Sequence, residues 1–300
     1  MIKQLTYTLL LKVLLLITCS TLSAQTNDTA YSKSIEQWNQ NRLKSLKGEN
    51  GWLNVVGLLW LKEGENTFGS SKANNIVFPE GKCNETLGTL ILKDSSVYLK
   101  SNSDALISVN EESFTEGAIY NEKWEKPLVL KHKKLVWFII KRGDKYAIRL
   151  RDLESDALKN FTTIEQFPTD EKWKVVATLE TPKNPKTIVI TDIIGNSTPT
   201  PFAGTLYFEI NNQKFQLDAT LEGDKLFIVF ADETNGHETY GGGRFLYADK
   251  PVSGNKLILD FNKAYNPPCC FTNYATCPIP TMQNHLKTKI TAGEKSYGTH

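Results

Sequence analysis

Leu135-Val136-Trp137-Phe138-Ile139-Ile140, followed by Arg142-Gly143-Asp144-Lys145 and then Tyr146-Ala147-Ile148-Arg149-Leu150, is the stretch that decides the fold class. Two runs rich in β-branched and aromatic residues flank residues that favour a tight reversal, which is the pattern of a β-hairpin. In the second arm strict alternation puts Tyr146, Ile148 and Leu150 on one face and Ala147, Arg149 and Arg151 on the other. Arg142-Gly143-Asp144 reads as turn chemistry rather than an adhesion motif, because triplets this short recur by chance.

The same texture extends in both directions. Residues 52–61, 66–68, 75–78, 89–92, 97–100 and 106–109 form short apolar runs bounded by turn signals such as Glu63-Gly64. Beyond the hairpin, residues 173–179, 187–191, 204–210, 214–221, 225–230, 244–247 and 256–261 repeat the pattern. Asn211-Asn212 and Gly223-Asp224 supply hairpin turns there. Helical period occurs over 30–46, where Tyr31, Ile35, Trp38, Leu43 and Leu46 are three to five apart and Gly48 follows. The expectation is a mainly β protein, with antiparallel sandwich or barrel-like sheets in two halves and one N-terminal amphipathic helix. The pattern breaks over 152–172, which divides the chain into a leader at 1–24, a helix plus sandwich-like half at 25–151, and a second β half at 152–300.

The leader expectation rests on Lys3, an apolar run from Leu9 to Ile17 and small or polar residues from Ser20 to Ala24. The run is broken by Lys12 and is shorter than the roughly 20 apolar residues of a membrane span. Export with cleavage after Ala24 is the favoured expectation, giving a periplasmic or extracellular protein. The alternative is a lipoprotein processed at Cys19 within Leu16-Ile17-Thr18-Cys19, although Thr18 is bulkier than the usual residue; membrane attachment would arise only there.

Cleavage after Ala24 removes Lys3 and Lys12 and no acid, bringing the 35 basic residues level with the 33 acidic ones. A balanced charge gives no electrostatic footprint for nucleic acid, so the expected partner is a small molecule, a glycan or an envelope protein. Gly241-Gly242-Gly243 lacks the strand-to-helix context and the Lys-Ser/Thr of a phosphate loop, and no cofactor is expected. The Gly-x-Ser-x-Gly and His-Glu-x-x-His signatures of common hydrolases do not occur.

Three segments of the second half crowd polar and special residues together: Asp232-Glu-Thr234-Asn235-Gly236-His-Glu-Thr239-Tyr240 running on to Gly243-Arg244-Phe245-Leu246, then Asp260-Phe261-Asn262-Lys-Ala264-Tyr265-Asn266-Pro267-Pro268-Cys269, and Phe271 onward to Ala292-Gly293-Glu294-Lys295. These blocks resemble DUF1684, a family of bacterial and archaeal proteins sharing an Asp-x-Thr-x-Gly-x-x-Thr-Tyr…Gly-Arg-Phe-Leu block and an Asp-Phe-Asn-x-Ala-Tyr-Asn-Pro-Pro-Cys block. Trp38…Arg42, Gly51-Trp52-Leu53 and Gly57-Leu58-x-Trp60-Leu61 are similar to the family's opening. The family has no assigned function, so the resemblance implies where to look and not what reaction to expect. Leu61 to Gly69, with Asn74 to Pro79, also resembles the start of a forkhead-associated β-sandwich. Ser70 stands where that fold's phosphothreonine-reading Arg would be, which speaks against the same ligand.

Within the crowded blocks, Asp232, Arg244 and Asp260 are the candidate catalytic residues, with His237 and Tyr265 in the same constellation; a carboxylate beside a guanidinium can activate water or hold an anion. Tyr240, Arg244, Tyr265 and Asn266 are the candidate ligand-binding residues, offering ring faces and a bidentate cation. Each has a plainer role available, since Asp before Thr-Asn-Gly forms turns and Arg244 can simply pair with Asp232 or Asp260. Cys83, Cys269, Cys270 and Cys277 follow the leader, and export favours pairing. Cys269 with Cys277 is the expected disulfide, because adjacent Cys269 and Cys270 would need a strained ring. Cys269, Cys277 and His285 lack the closely spaced pairs of a zinc site, so no metal is expected. Function therefore divides between a binder of a polar small molecule or envelope component, a hydrolase using Asp232 or Asp260 with Arg244, and a structural protein whose motifs are a folding core.

Overall fold

In the computed structural model, which describes residues 29–298, the hairpin forms as the alternation requires. Leu135–Arg142 pairs antiparallel with Lys145–Asp152, in a register that sets Trp137 opposite Leu150 and Ile139 opposite Ile148. The expected leader and Cys19 lie outside the described residues. Among the described residues no helix is long and apolar enough to cross a membrane.

Around the hairpin, Val55–Trp60, Leu130–His132, Ser108–Val109 and Glu112–Ser113 complete a six-stranded sheet. A five-stranded sheet runs in the order Ile76–Val77, Gly64–Gly69, Gly88–Lys93, Ser96–Ser101, Glu116–Asn121. The two sheets bury Leu90, Leu99, Ile119, Trp137, Ile148 and Leu150 in one core. At its centre the rings of Phe68, Phe78 and Trp137 meet edge to face at 5.5 to 6.1 Å. Glu116–Asn121 and Leu130–His132 escape the sequence patterning, while residues 52–54 of an expected strand form a 3-10 turn instead.

The second half is a strongly curved seven-stranded sheet. Its order is Arg244–Asp249, Lys225–Phe230, Gln213–Glu222, Ser197–Ile210, Lys174–Glu180, Lys256–Asp260, with Thr187–Thr191 paired to the outer part of Ser197–Ile210. The first and last strands of that order are consecutive in the chain and pack side by side, so the sheet is nearly closed into a barrel. Asn211 and Asn212 both have positive φ, 51° and 63°, the conformation of the tight turn expected between two of its strands. Leu206, Leu217, Ile228, Leu246 and Leu259 fill the interior.

A helix over residues 29–47, here α1, buries Ile35 and Leu46. Although it precedes the sandwich in sequence, its polar and aromatic contacts reach the barrel half: the Tyr31 hydroxyl donates to Asp260 at 2.8 Å, Arg42 bonds Glu294 at 3.0 Å, and Trp38 meets Tyr265. A third apolar cluster, including Leu46, Leu53, Phe161, Tyr240, Phe245 and Phe271, lies between the sandwich and the barrel.

Candidate functional site

The crowded motif around Asp232 folds back on itself. Asp232 accepts from the Thr234 amide at 2.9 Å, the Thr234 hydroxyl at 2.6 Å and the Ile290 amide at 3.2 Å. Its second oxygen receives Arg244 at 2.6 Å, and both side chains are fully buried. Arg244 also donates to the carbonyls of Ala292 and Ile290 and lies over the Phe230 ring at 5.2 Å. Burial pulls the Arg244 pKa down while Asp232 pushes it back up. Asn235 closes the loop by accepting from the Asp232 amide and donating to the Tyr240 carbonyl.

Asp260 does not join this pair. It caps the 3-10 turn Phe261–Lys263 by accepting from the Asn262 amide and takes the Tyr31 hydroxyl of α1. His237 is exposed on the turn. Asn266 is buried, with its amide donating to Glu294 at 2.6 Å, its side chain donating to the Lys295 carbonyl, and its own carbonyl accepting from Arg42. The expected acid–base constellation is not assembled: Asp260 stands apart, bonded to Tyr31 and Asn262, while Asp232 and Arg244 are buried against each other and away from any cleft. Asn266 and Arg244 likewise leave the list of ligand contacts.

Tyr265 alone of the expected ligand residues opens onto a cleft, one of about 430 Å³ between the two halves. One wall is the outer face of the barrel. Alternation along Arg244–Asp249 sends Leu246 and Ala248 inward and leaves Phe245 and Tyr247 outward, where Phe227 lies opposite Tyr247 on the next strand. Tyr247 and Tyr265 stack at 6.1 Å with only 17° between their planes, and Phe227 and Phe245 meet edge to face at 4.9 Å. The Tyr247 hydroxyl donates to Glu222 at 2.7 Å; burial and then this carboxylate raise its pKa.

The opposite wall is cationic. Arg42 lies over the Tyr265 ring at 4.6 Å while held by Glu294. Arg142, Arg149 and Arg151 share the second face of the hairpin, and the barrel half covers that face. Arg142 donates to the Thr276 hydroxyl at 2.9 Å and the Lys141 carbonyl, Arg149 to the Tyr274 carbonyl, and Arg151 to the Gly51 carbonyl at 2.6 Å. Among the described residues none of these three forms a salt bridge with a carboxylate. Burial lowers the pKa of all three, Arg149 to about 10 with Arg142 and Arg151 adding to the effect. Trp52 lies under Arg149 at 5.4 Å and also lines the cleft.

Cys277 forms part of the cleft floor. The expected Cys269–Cys277 disulfide is not formed here, and none of the four described cysteines is in a disulfide. The two side chains are nonetheless neighbours. The Cys269 amide donates to the Cys277 sulfur at 3.1 Å, and the Cys269 sulfur accepts from the Cys277 thiol and from the Tyr240 hydroxyl. Tyr240 thus reaches a cysteine instead of the cleft, and Cys270 turns away toward the Tyr297 carbonyl. Ser70 is directed inward to the carbonyls of Cys83 and Asn84. Among the described residues no group of three or more His, Cys, Asp or Glu side chains is placed to hold a metal ion.

Most of the cleft was not singled out as a site from sequence: Arg142 reads as part of a turn, Thr276 sits in the third crowded segment without a role, and Glu222, Phe227 and Tyr247 carry no motif. The available signal was the pair of arginines alternating with core residues at 149 and 151.

Residues 159–295 match a family model described as a protein of unknown function, DUF1684. The solution NMR structure of an uncharacterized protein from Haloarcula marismortui is similar at 29% identity, covering 46% of this chain and 78% of that one, with a TM-score of 0.39. No curated protein matches the chain.

Proposed function

We propose that the protein binds a small anionic ligand with a planar, ring-bearing body, in the cleft that residues 159–295, which match the DUF1684 model of unknown function, form with the first half of the chain. The observation that carries the proposal is the pairing of two unlike walls. Arg142 borders the cleft with Arg149 close behind, neither in a salt bridge although Asp192 acts on Arg142 from further off, while Phe227, Tyr247 and Tyr265 line the aromatic wall. Desolvated guanidinium groups without counter-ions favour an incoming carboxylate or phosphate, and stacked tyrosines favour a flat partner. Glu222 adds a negative edge near Tyr247, which discriminates against an acidic group at that end.

A hydrolase built on Asp232, Asp260 and Arg244 is not part of the proposal, because those groups serve the fold. The order of Lys3, the apolar run and the small residues through Ala24 supports export, so the ligand would be met in the envelope or outside the cell. Intact mass of the protein from its native host separates cleavage after Ala24 from lipidation at Cys19.

Binding is tested by calorimetry with aromatic carboxylates, aromatic phosphate monoesters and their neutral amide or alcohol analogues. The anions should bind and the neutral analogues should not. Arg142→Ala should weaken the anions by at least tenfold, since a charge-assisted hydrogen bond contributes about 1.5–3 kcal/mol. Equal binding of neutral analogues, or an unchanged affinity in Arg142→Ala, overturns the proposal.

A further inference from the structure

The floor of the cleft carries a second kind of chemistry. Cys277 lines the cleft and Cys269 lies directly behind it, eight residues earlier in a loop tied to both halves of the molecule. That loop is braced at Tyr274 and Thr276, whose oxygens accept from Arg149 and Arg142. Arg149 is close enough to Cys277 for the two to act on each other electrostatically. Cys270 is next in sequence yet points to Tyr297, so the geometry selects one pair out of three neighbouring cysteines.

We propose that Cys269 and Cys277 form a dithiol centre that exchanges with small-molecule disulfides entering the cleft, closing and reopening the Cys269–Cys277 bond. The inference uses the cleft but does not depend on its anionic ligand. Two thiols already in contact need little backbone motion to bond, and Cys277 supplies the entrance while Cys269 supplies the partner. Hydrogen bonds from the Cys277 thiol and the Tyr240 hydroxyl bring Cys269 down to about 7, so the pair holds one negative charge near neutral pH. The same contact raises Cys277, which keeps its proton until Cys269 takes it. The Cys269 amide and the Arg149 guanidinium then stabilise charge moving onto the Cys277 sulfur.

The steps balance. Cys269 thiolate accepts the Cys277 proton as the Cys277 sulfur attacks one sulfur of the disulfide RSSR. A Cys277–SR bond forms, the S–S bond of RSSR breaks, and RS⁻ leaves. The Cys269 sulfur next attacks the Cys277 sulfur and displaces the second thiolate, which takes the Cys269 proton and departs as RSH. One protein thiolate and one protein thiol are oxidised, and the disulfide is reduced to RSH and RS⁻, the latter taking a proton from water; excess RSH drives the reverse.

The test uses the full chain, reduced and freed of reductant, with neutral bis(2-hydroxyethyl) disulfide and no other ligand present. Using a neutral disulfide makes a failure here separable from a failure of anion binding. The native protein should release two mercaptoethanol molecules per chain, and peptide mapping should locate one new bond, Cys269–Cys277. Cys269→Ser lacks the base for Cys277 and should react more slowly, going no further than a single mercaptoethanol adduct on Cys277, and Arg149→Met should slow the exchange about tenfold without changing the circular dichroism spectrum, the loss of one stabilising charge at the attacking sulfur. Wild-type mapping alone decides the matter if Cys269→Ser does not fold. The proposal is overturned if native protein releases no thiol while denatured protein does, if the adduct forms at Cys83 or Cys270, or if a Cys269–Cys277 bond is present from the outset and resists dithiothreitol until the fold is melted.

Discussion

Arginine takes two opposite roles in this molecule, and the difference lies in who neutralises it. Arg244 is fully buried against Asp232 and also donates to two carbonyls, whereas the hydrogen bonds of Arg142 and Arg149 go to neutral oxygens. A buried pair of the first kind adds little net stability, yet breaking it leaves a stranded charge that costs about 3–5 kcal/mol. Asp232→Asn keeps the shape and removes the charge. Its urea unfolding free energy should fall by that amount, and a loss below about 1 kcal/mol would show that Arg244 finds another partner. The sequence put Asp232 and Arg244 together but could not tell a folding knot from a reactive one, because both need the same dense mix of Asp, Thr, Asn and Gly. Only the complete burial of the pair and its distance from any cleft separate the two cases.

Individual elements were the most legible part of the chain. The hairpin, the Asn211-Asn212 turn and the strands at Thr187–Thr191 and Lys225–Phe230 follow from period and turn chemistry acting locally. Glu116–Asn121 and Leu130–His132 were not legible: the first mixes Gly and polar residues, and the second is three residues long, so neighbouring strands rather than local pattern fix them. The helix was legible in extent but not in allegiance, since its docking depends on Glu294, far away in sequence. Burial holds the Glu294 carboxyl above its ordinary pKa while Arg42 opposes the shift. A carboxyl raised in the folded state binds its proton more readily folded than unfolded. Its stabilising contribution is therefore complete below the unfolded value of 4.5 and declines as pH rises through the folded value. Glu294→Gln retains an acceptor for Arg42 and cannot titrate. Guanidinium midpoints from about pH 4 to about pH 8 should shift steadily in the variant's favour relative to wild type, and a constant difference would mean that the carboxyl stays ionised throughout.

At the scale of the whole molecule, the cleft is made where the arginine face of the sandwich meets the aromatic outer face of the barrel. Read one strand at a time, each surface looks like a solvent face with occasional charges or rings, and nothing local announces that the two will cover each other. The sequence therefore indicated the two β halves while leaving the space between them blank. The helix clamps this arrangement from the barrel side, and Glu294→Ala should loosen it first. Limited proteolysis of that variant should cut within residues 29–47 before any strand, with the β signal in circular dichroism intact; simultaneous cutting throughout would mean that helix and sheets unfold as one unit.

The bonds from Tyr31 to Asp260 and from Arg42 to Glu294 span 229 and 252 positions. The helix is made long before its dock, so it has nothing to hold until residues 260 and 294 have been added. The contacts that seat the helix therefore close only after the strands of both β halves have been made, so its docking is a late, long-range step in folding.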